Sequence, residues 1–234
     1  MNQSLLICSL ILVLLLPVNH SSVWQVKQQA LQLVETSFDL HSARQVIPLM
    51  RSDLNQDGAE ECLHLQNGIA SVVNCRDGNI LWQSPSTWQV REAQITDLNR
   101  DGIPEVTLLV WRPFKPWPIE QNDPSGGRIK DFHDSANQSC HVILIHWSHG
   151  TFRELWAGSA LVRPVSQLTV GDVDGDGWQE LVALEGYYDS PLMGGSLTVW
   201  RWQGFGFVLQ AEVNKFSRSV HLLEENDQVW IETK

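Results

Sequence analysis

The chain is poor in positive charge. Sixteen lysines and arginines stand against 27 acidic residues among 234, a formal charge of −11. Nothing in it resembles the basic stripe that phosphate recognition requires, which excludes a nucleic-acid binder. Tyrosine (two), methionine (three) and cysteine (four) are scarce. The longest apolar run, Leu5 to Leu16, is about a dozen residues and ends at Pro17, short of the roughly twenty that span a membrane. No Gly-x-Ser-x-Gly elbow, His-Glu-x-x-His motif or phosphate-cradling glycine loop occurs, so no catalytic residue is named and the expectation is a protein that is not an enzyme. What is abundant is tryptophan, eleven residues, with sixteen glycines and ten prolines. That composition favours many short strands and turns over a helix bundle.

The apolar run has signal-peptide length. However, Met1 to Ser4 carry no Lys or Arg, and Asn19-His20-Ser21-Ser22 matches a cleavage site poorly. Residues 1–20 therefore read as a signal peptide or an uncleaved N-terminal membrane anchor, and 21–234 as one domain, exported to the cell surface or beyond. Outside the leader, Cys62, Cys75 and Cys140 permit one disulfide and one free thiol. Cys62 and Cys75 flank an Asn67-Gly68 turn at nearly mirrored positions. They face one another in one register, while a one-residue slip puts them on opposite faces as free thiols, and both readings stand.

A nine-residue pattern occurs three times: Asp53-Leu54-Asn55-Gln56-Asp57-Gly58-Ala59-Glu60-Glu61, Asp97-Leu98-Asn99-Arg100-Asp101-Gly102-Ile103-Pro104-Glu105 and Asp172-Val173-Asp174-Gly175-Asp176-Gly177-Trp178-Gln179-Glu180. Oxygen-bearing side chains hold positions one, three and five, Gly position six and Glu position nine. A hard divalent cation wants six to eight oxygens, alternate residues of a tight loop aim theirs inward, and Gly permits the sharp turn. A single copy would be equally at home as a polar turn. Three copies with the same Glu favour metal, and three bound divalent ions would bring the charge to about −5. An EF-hand is excluded, because its position-twelve Glu is replaced by His64, Leu108 and Ala183 and each loop runs into a strand-like segment.

These loops and their following strands resemble the FG-GAP or VCBS repeats of integrin α subunits and secreted bacterial proteins, most closely from Leu168 to Leu181. The resemblance covers roughly residues 45 to 210. It implies an all-β propeller with about three Ca2+ ions, held by Asp53, Asn55, Asp57 and Glu61, by Asp97, Asn99, Asp101 and Glu105, and by Asp172, Asp174, Asp176 and Glu180. It also implies a protein- or glycan-binding module as the function. Because some enzymes carry similar propellers, a polysaccharide lyase is the alternative.

Loop starts at 53 and 97 lie 44 residues apart, one blade length. The next gap is 75, and the Pro- and Gly-rich stretch 112–140 reads as an insertion. Val23 to Lys27 with Leu31 to Phe38 resemble the last half of a blade, and Ser219 to Leu223 with Gln228 to Glu232 the first half. Four four-stranded blades follow, the last closed by N- and C-terminal strands and carrying no metal pattern. The alternative is an N-terminal stalk helix on an open three-blade array. Strand alternation puts the metal loops at one end. The opposite end gathers Trp88, Phe114, Trp117, Tyr187 and Tyr188 as a candidate ligand face, although tryptophans wedged between blades are as readily core.

Overall fold

The computed structural model describes residues 21–34, 43–115, 132–191 and 193–234. Residues 1–20, the expected end of the N-terminal strand at Phe38, and Trp117 lie outside them. Among the described residues all regular structure is strand, and no helix is long and apolar enough to cross a membrane. The chain opens with β1 (Ser22–Lys27), β2 (Ala30–Leu33) and the short β3 (Arg44–Gln45). Three consecutive blades follow. The first is β4 (Arg51–Ser52), β5 (Glu61–Gln66), β6 (Ile69–Asn74) and β7 (Ile80–Gln83). The second is β8 (Gln89–Thr96), β9 (Glu105–Pro113), β10 (Gln138–Ser148) and β11 (Thr151–Ala157). The third is β12 (Val165–Gly171), β13 (Glu180–Glu185), β14 (Gly195–Trp202) and β15 (Phe207–Ser217). The chain ends with β16 (Val220–Glu225) and β17 (Gln228–Thr233).

The last sheet runs β2-β1-β17-β16-β3. Val23 pairs with Glu232 and Trp24 with Ile231, and Trp24 Nε1 donates to Thr233 Oγ1 at 3.0 Å. The two termini thus build one blade, and the ring is a four-bladed propeller. The stalk helix is overturned: Gln25 to Lys27 are strand, and Gln28 and Gln29 form the turn between β1 and β2. β3 adds a fifth strand beside β16, with Leu223 opposite Gln45. The insertion is shorter than the composition suggests, since β9 continues to Pro113 and β10 begins at Gln138, pairing Arg112 with Ser139.

Central strands with two buried faces read as continuous apolar runs. On β9, Val106, Leu108 and Val110 join a cluster against the first blade, while Leu109 and Trp111 join one against the third. On β13, Leu181 and Ala183 face the second blade, and Val182 and Leu184 face the fourth. Removing one such side chain, as in Leu108→Ala, costs about 2 to 5 kcal/mol. Cys62 and Cys75 form a disulfide. Cys62 alternates with the buried Leu63 of the second-blade cluster, so the bond staples the other face of the first blade. Cys140 is a buried free thiol.

Candidate metal loops and the opposite face

The three loops close on one hydrogen-bond scheme. The carboxylate at position one accepts the backbone N–H of position five, from Asp57, Asp101 and Asp176 at 3.1 Å each. It also accepts the N–H of position six, from Gly58, Gly102 and Gly177 at 3.0, 3.1 and 2.9 Å. The position-five carboxylate takes the N–H of position seven. Gly is required at position six because φ there is +79° to +86°. Position nine opens the following strand. Its carboxylate accepts the N–H of position two, at 2.8 Å for Leu54 on Glu61, 2.8 Å for Leu98 on Glu105 and 3.2 Å for Val173 on Glu180. These glutamates are buried, and sequence reasoning missed their bracing role. The invariant two-to-nine spacing was its signal.

Carboxylate oxygens converge within 4.8 Å in two loops, Asp97 with Asp101 and Glu105, and Asp172 with Asp174, Asp176 and Glu180. The first loop shares the frame, yet Asp53, Asp57 and Glu61 are not among the gathered sets. There the Asn55 amide donates to Asp57 Oδ2 and Glu61 Oε1, both at 3.1 Å. Asn99 donates to Asp101 Oδ2 at 2.9 Å in the second loop.

The two gathered sets differ in what neutralises them. Glu105 is 1% exposed, and its Oε2 has no hydrogen-bond partner among the described residues. Burial pushes its carboxyl up to about 8, against the backbone N–H groups of Leu98 and Asn99. In the third loop Arg100, from position four of the second, places Nη2 2.7 Å from Glu180 Oε1 and Nη1 3.7 Å from Asp176 Oδ2. Arg201 also pairs with Asp176, and Gln210 Nε2 donates to Asp174 Oδ2 at 2.6 Å. Burial and Asp174 raise Glu180 to about 7 in spite of Arg100. Gln179 Oε1 accepts the Asp97 N–H at 2.8 Å, which ties the third loop back to the second.

At the opposite end the four described aromatics, Trp88, Phe114, Tyr187 and Tyr188, part ways. Trp88 is 9% exposed and belongs to the core between the first two blades. Tyr188 is structural: its hydroxyl donates to Leu161 O at 2.7 Å and accepts Cys140 N–H at 3.2 Å, with its ring edge-on to Trp111 at 5.8 Å. Phe114 lies against the His133 ring at 4.9 Å, and Tyr187 is 72% exposed. Asp134 caps a turn, accepting from Ala136 and Gln138. A cavity of about 280 Å3 opens beside Trp88, lined by Arg112, Lys115 and His141 among others. Neither a family model nor a curated protein matches this chain, so the four-bladed propeller stands on its own strand order and registers.

Proposed function

We propose that this protein is an exported, calcium-binding β-propeller that acts as a binding module for a protein or glycan rather than as a catalyst. The observation that carries the metal reading is the Asp97, Asp101 and Glu105 set. It has three carboxylates with oxygens within 4.8 Å and one buried oxygen, Glu105 Oε2, that has no hydrogen-bond partner among the described residues. Burying an unpaired carboxylate is costly, and an all-oxygen set of hard donors suits Ca2+ over softer metals. Asp97, Asp101 and Glu105 would hold the ion, with the Ile103 carbonyl at position seven as a further donor. Its charge would let the buried carboxylate ionise.

The Cys62–Cys75 disulfide supports an oxidising compartment, in keeping with export. The test is titration of chelator-treated protein with Ca2+ and Mg2+, followed by calorimetry and thermal melting. Saturable Ca2+ binding with a higher Tm is expected. An unchanged melting curve and no heat would overturn the reading.

A further inference from the structure

We propose that the cavity beside Trp88, at the end of the ring opposite the metal loops, is an anion site in which Arg112 and Lys115 receive a carboxylate carried by a small ligand. This names the ligand chemistry of the binding module above and rests on that reading. His141 is 5% exposed, with Nδ1 2.9 Å from the Gly158 carbonyl and Nε2 2.7 Å from Ser139 Oγ. A carbonyl can only accept, so Nδ1 carries the proton and Nε2 accepts from the serine hydroxyl. Burial, and then Arg112, hold the imidazole neutral, pushing it down to about 4.

Arg112 Nη2 lies 3.5 Å from the same Nδ1. Two donors meet there, so this approach is not a hydrogen bond. The guanidinium, lying 5.7 Å over the Trp88 ring, therefore has five N–H donors and no acceptor among the described residues. Burial lowers its proton affinity, and the acid that acts on it, Glu154, does so without an ion pair. By contrast Arg100, Arg163 and Arg201 are each paired with carboxylates.

A half-buried guanidinium without a carboxylate is the costly half of an ion pair, and its planar fork matches a carboxylate with two parallel hydrogen bonds. Lys115 stands at the same cavity as a second cation, with Thr87 as a hydroxyl partner. About 280 Å3 admits one ring-sized ligand rather than a folded segment. No described residue supplies the acceptor, and the planar fork suits a carboxylate.

The test uses glucuronate and glutamate as the two sources of a carboxylate, glucose as the uncharged comparison and chloride as the non-specific anion. Binding is followed by calorimetry and by the Arg112 side-chain N–H resonance, assigned with Arg112→Gln. A carboxylate probe should bind saturably, shift that resonance and weaken by at least about tenfold in Arg112→Gln, the factor that 1.4 kcal/mol of a charge-assisted bond supplies. Lys115→Gln, at an exposed residue, should weaken it about two- to threefold. Arg112→Lys keeps the charge and loses the fork, so it should fall between. Whichever of glucuronate and glutamate binds more tightly identifies the source. Equal response to chloride and glucose, or full affinity in folded Arg112→Gln, would overturn the proposal. Each titration is run with Ca2+ and with chelator, so a failure of the metal reading leaves this outcome separately scored.

Discussion

The fourth blade and the other three are built alike except at one joint. In the first three, the acidic nine-residue pattern fills the connection between strands one and two and ends on the first residue of strand two, whereas β16 and β17 are joined by a tight turn with Asn226 and Asp227 at φ +52° and +60°. Two residues in that conformation match the right-handed twist of a hairpin. The fourth blade still pairs six residues across β16 and β17 and buries Val220, Leu222 and Ile231. A blade therefore forms without an acidic loop. The hairpin itself does not require the longer loops, whose buried glutamates brace position two.

The harshest way to break this comparison is to remove the loop-free blade. Deleting residues 217–234 takes away β16 and β17, strips the partners of β1 and β3, and exposes two strand edges. Aggregated or unrecoverable protein is expected by size-exclusion chromatography. A soluble, cooperatively melting truncation would show that the fourth blade is dispensable. The reciprocal change, replacing residues 97–104 with an Asn-Gly turn, should leave a folded ring and abolish the Ca2+ binding of the second loop.

The blade count and the closure were legible because they depend on spacing. The offset between loops fixed where β1, β2, β16 and β17 had to lie, and strand pattern repeats even where the loop has been lost. The metal loops were legible as candidates because oxygen side chains at alternate positions are a local property. What neutralises the third loop was not legible, because it comes from residues distant in sequence: Arg201 on β14 of the same blade and Arg100 from the loop of the second. What Tyr188 and Trp88 do at that end of the ring was not legible for a related reason. An aromatic in a connection looks the same in sequence whether it caps a core or faces solvent, and here the Tyr188 hydroxyl is spent on Leu161 and Cys140. The anion cavity escaped because Arg112 acquires its meaning from the His141 tautomer.

Next in size is the calcium effect itself. At a hundredfold excess over Kd, one ion that binds only the folded state contributes about 2.7 kcal/mol. In a protein of this size that raises Tm by about 5 to 10 °C. Glu105→Gln keeps an acceptor for the Leu98 N–H and removes the buried charge, so calorimetric melting should show most of this shift lost. If Glu105→Gln keeps the full shift while Asp176→Asn loses it, the ranking of the second loop above the third is wrong.

Acid provides a comparison away from the loops. His141 binds a proton near pH 6.5 when unfolded but only at about 4 when folded. Its contribution is therefore complete above pH 6.5 and is lost progressively as pH falls towards 4, up to about 3 kcal/mol. Glu92 works in the opposite sense: burial pushes it up to about 7, so its contribution is complete below its unfolded value near 4.5 and is lost as pH rises to 7. The difference in denaturant stability between wild type and His141→Asn isolates the histidine. That difference should narrow as pH drops from 6.5 to 4, with or without Ca2+. Narrowing seen only with Ca2+ would assign the acid response to the loops instead.

The smallest expected effect bears most directly on the second and third loops. Arg100 sits at position four of one and lies on the buried Glu180 of the other, so the set with more carboxylates is the one already supplied with cations. A metal entering the third loop must displace this guanidinium and compete with Arg201 at Asp176. Breaking a partly buried ion pair leaves a charge behind, so Arg100→Gln should lower the stability of the metal-free protein while raising the Ca2+ affinity of the third loop. About tenfold is the expected gain, equivalent to 1.4 kcal/mol. Calorimetry on wild type should resolve a tighter and a weaker phase. In Arg100→Gln the weaker phase should tighten and the tighter one stay, since the ligands of the second loop are untouched. Arg201→Gln should do the same by a smaller factor, because its partner Asp176 is more exposed than Glu180. Two phases that respond to neither substitution would mean that the arginines serve only to hold the loops in place, and that the third loop binds as the sequence alone implies.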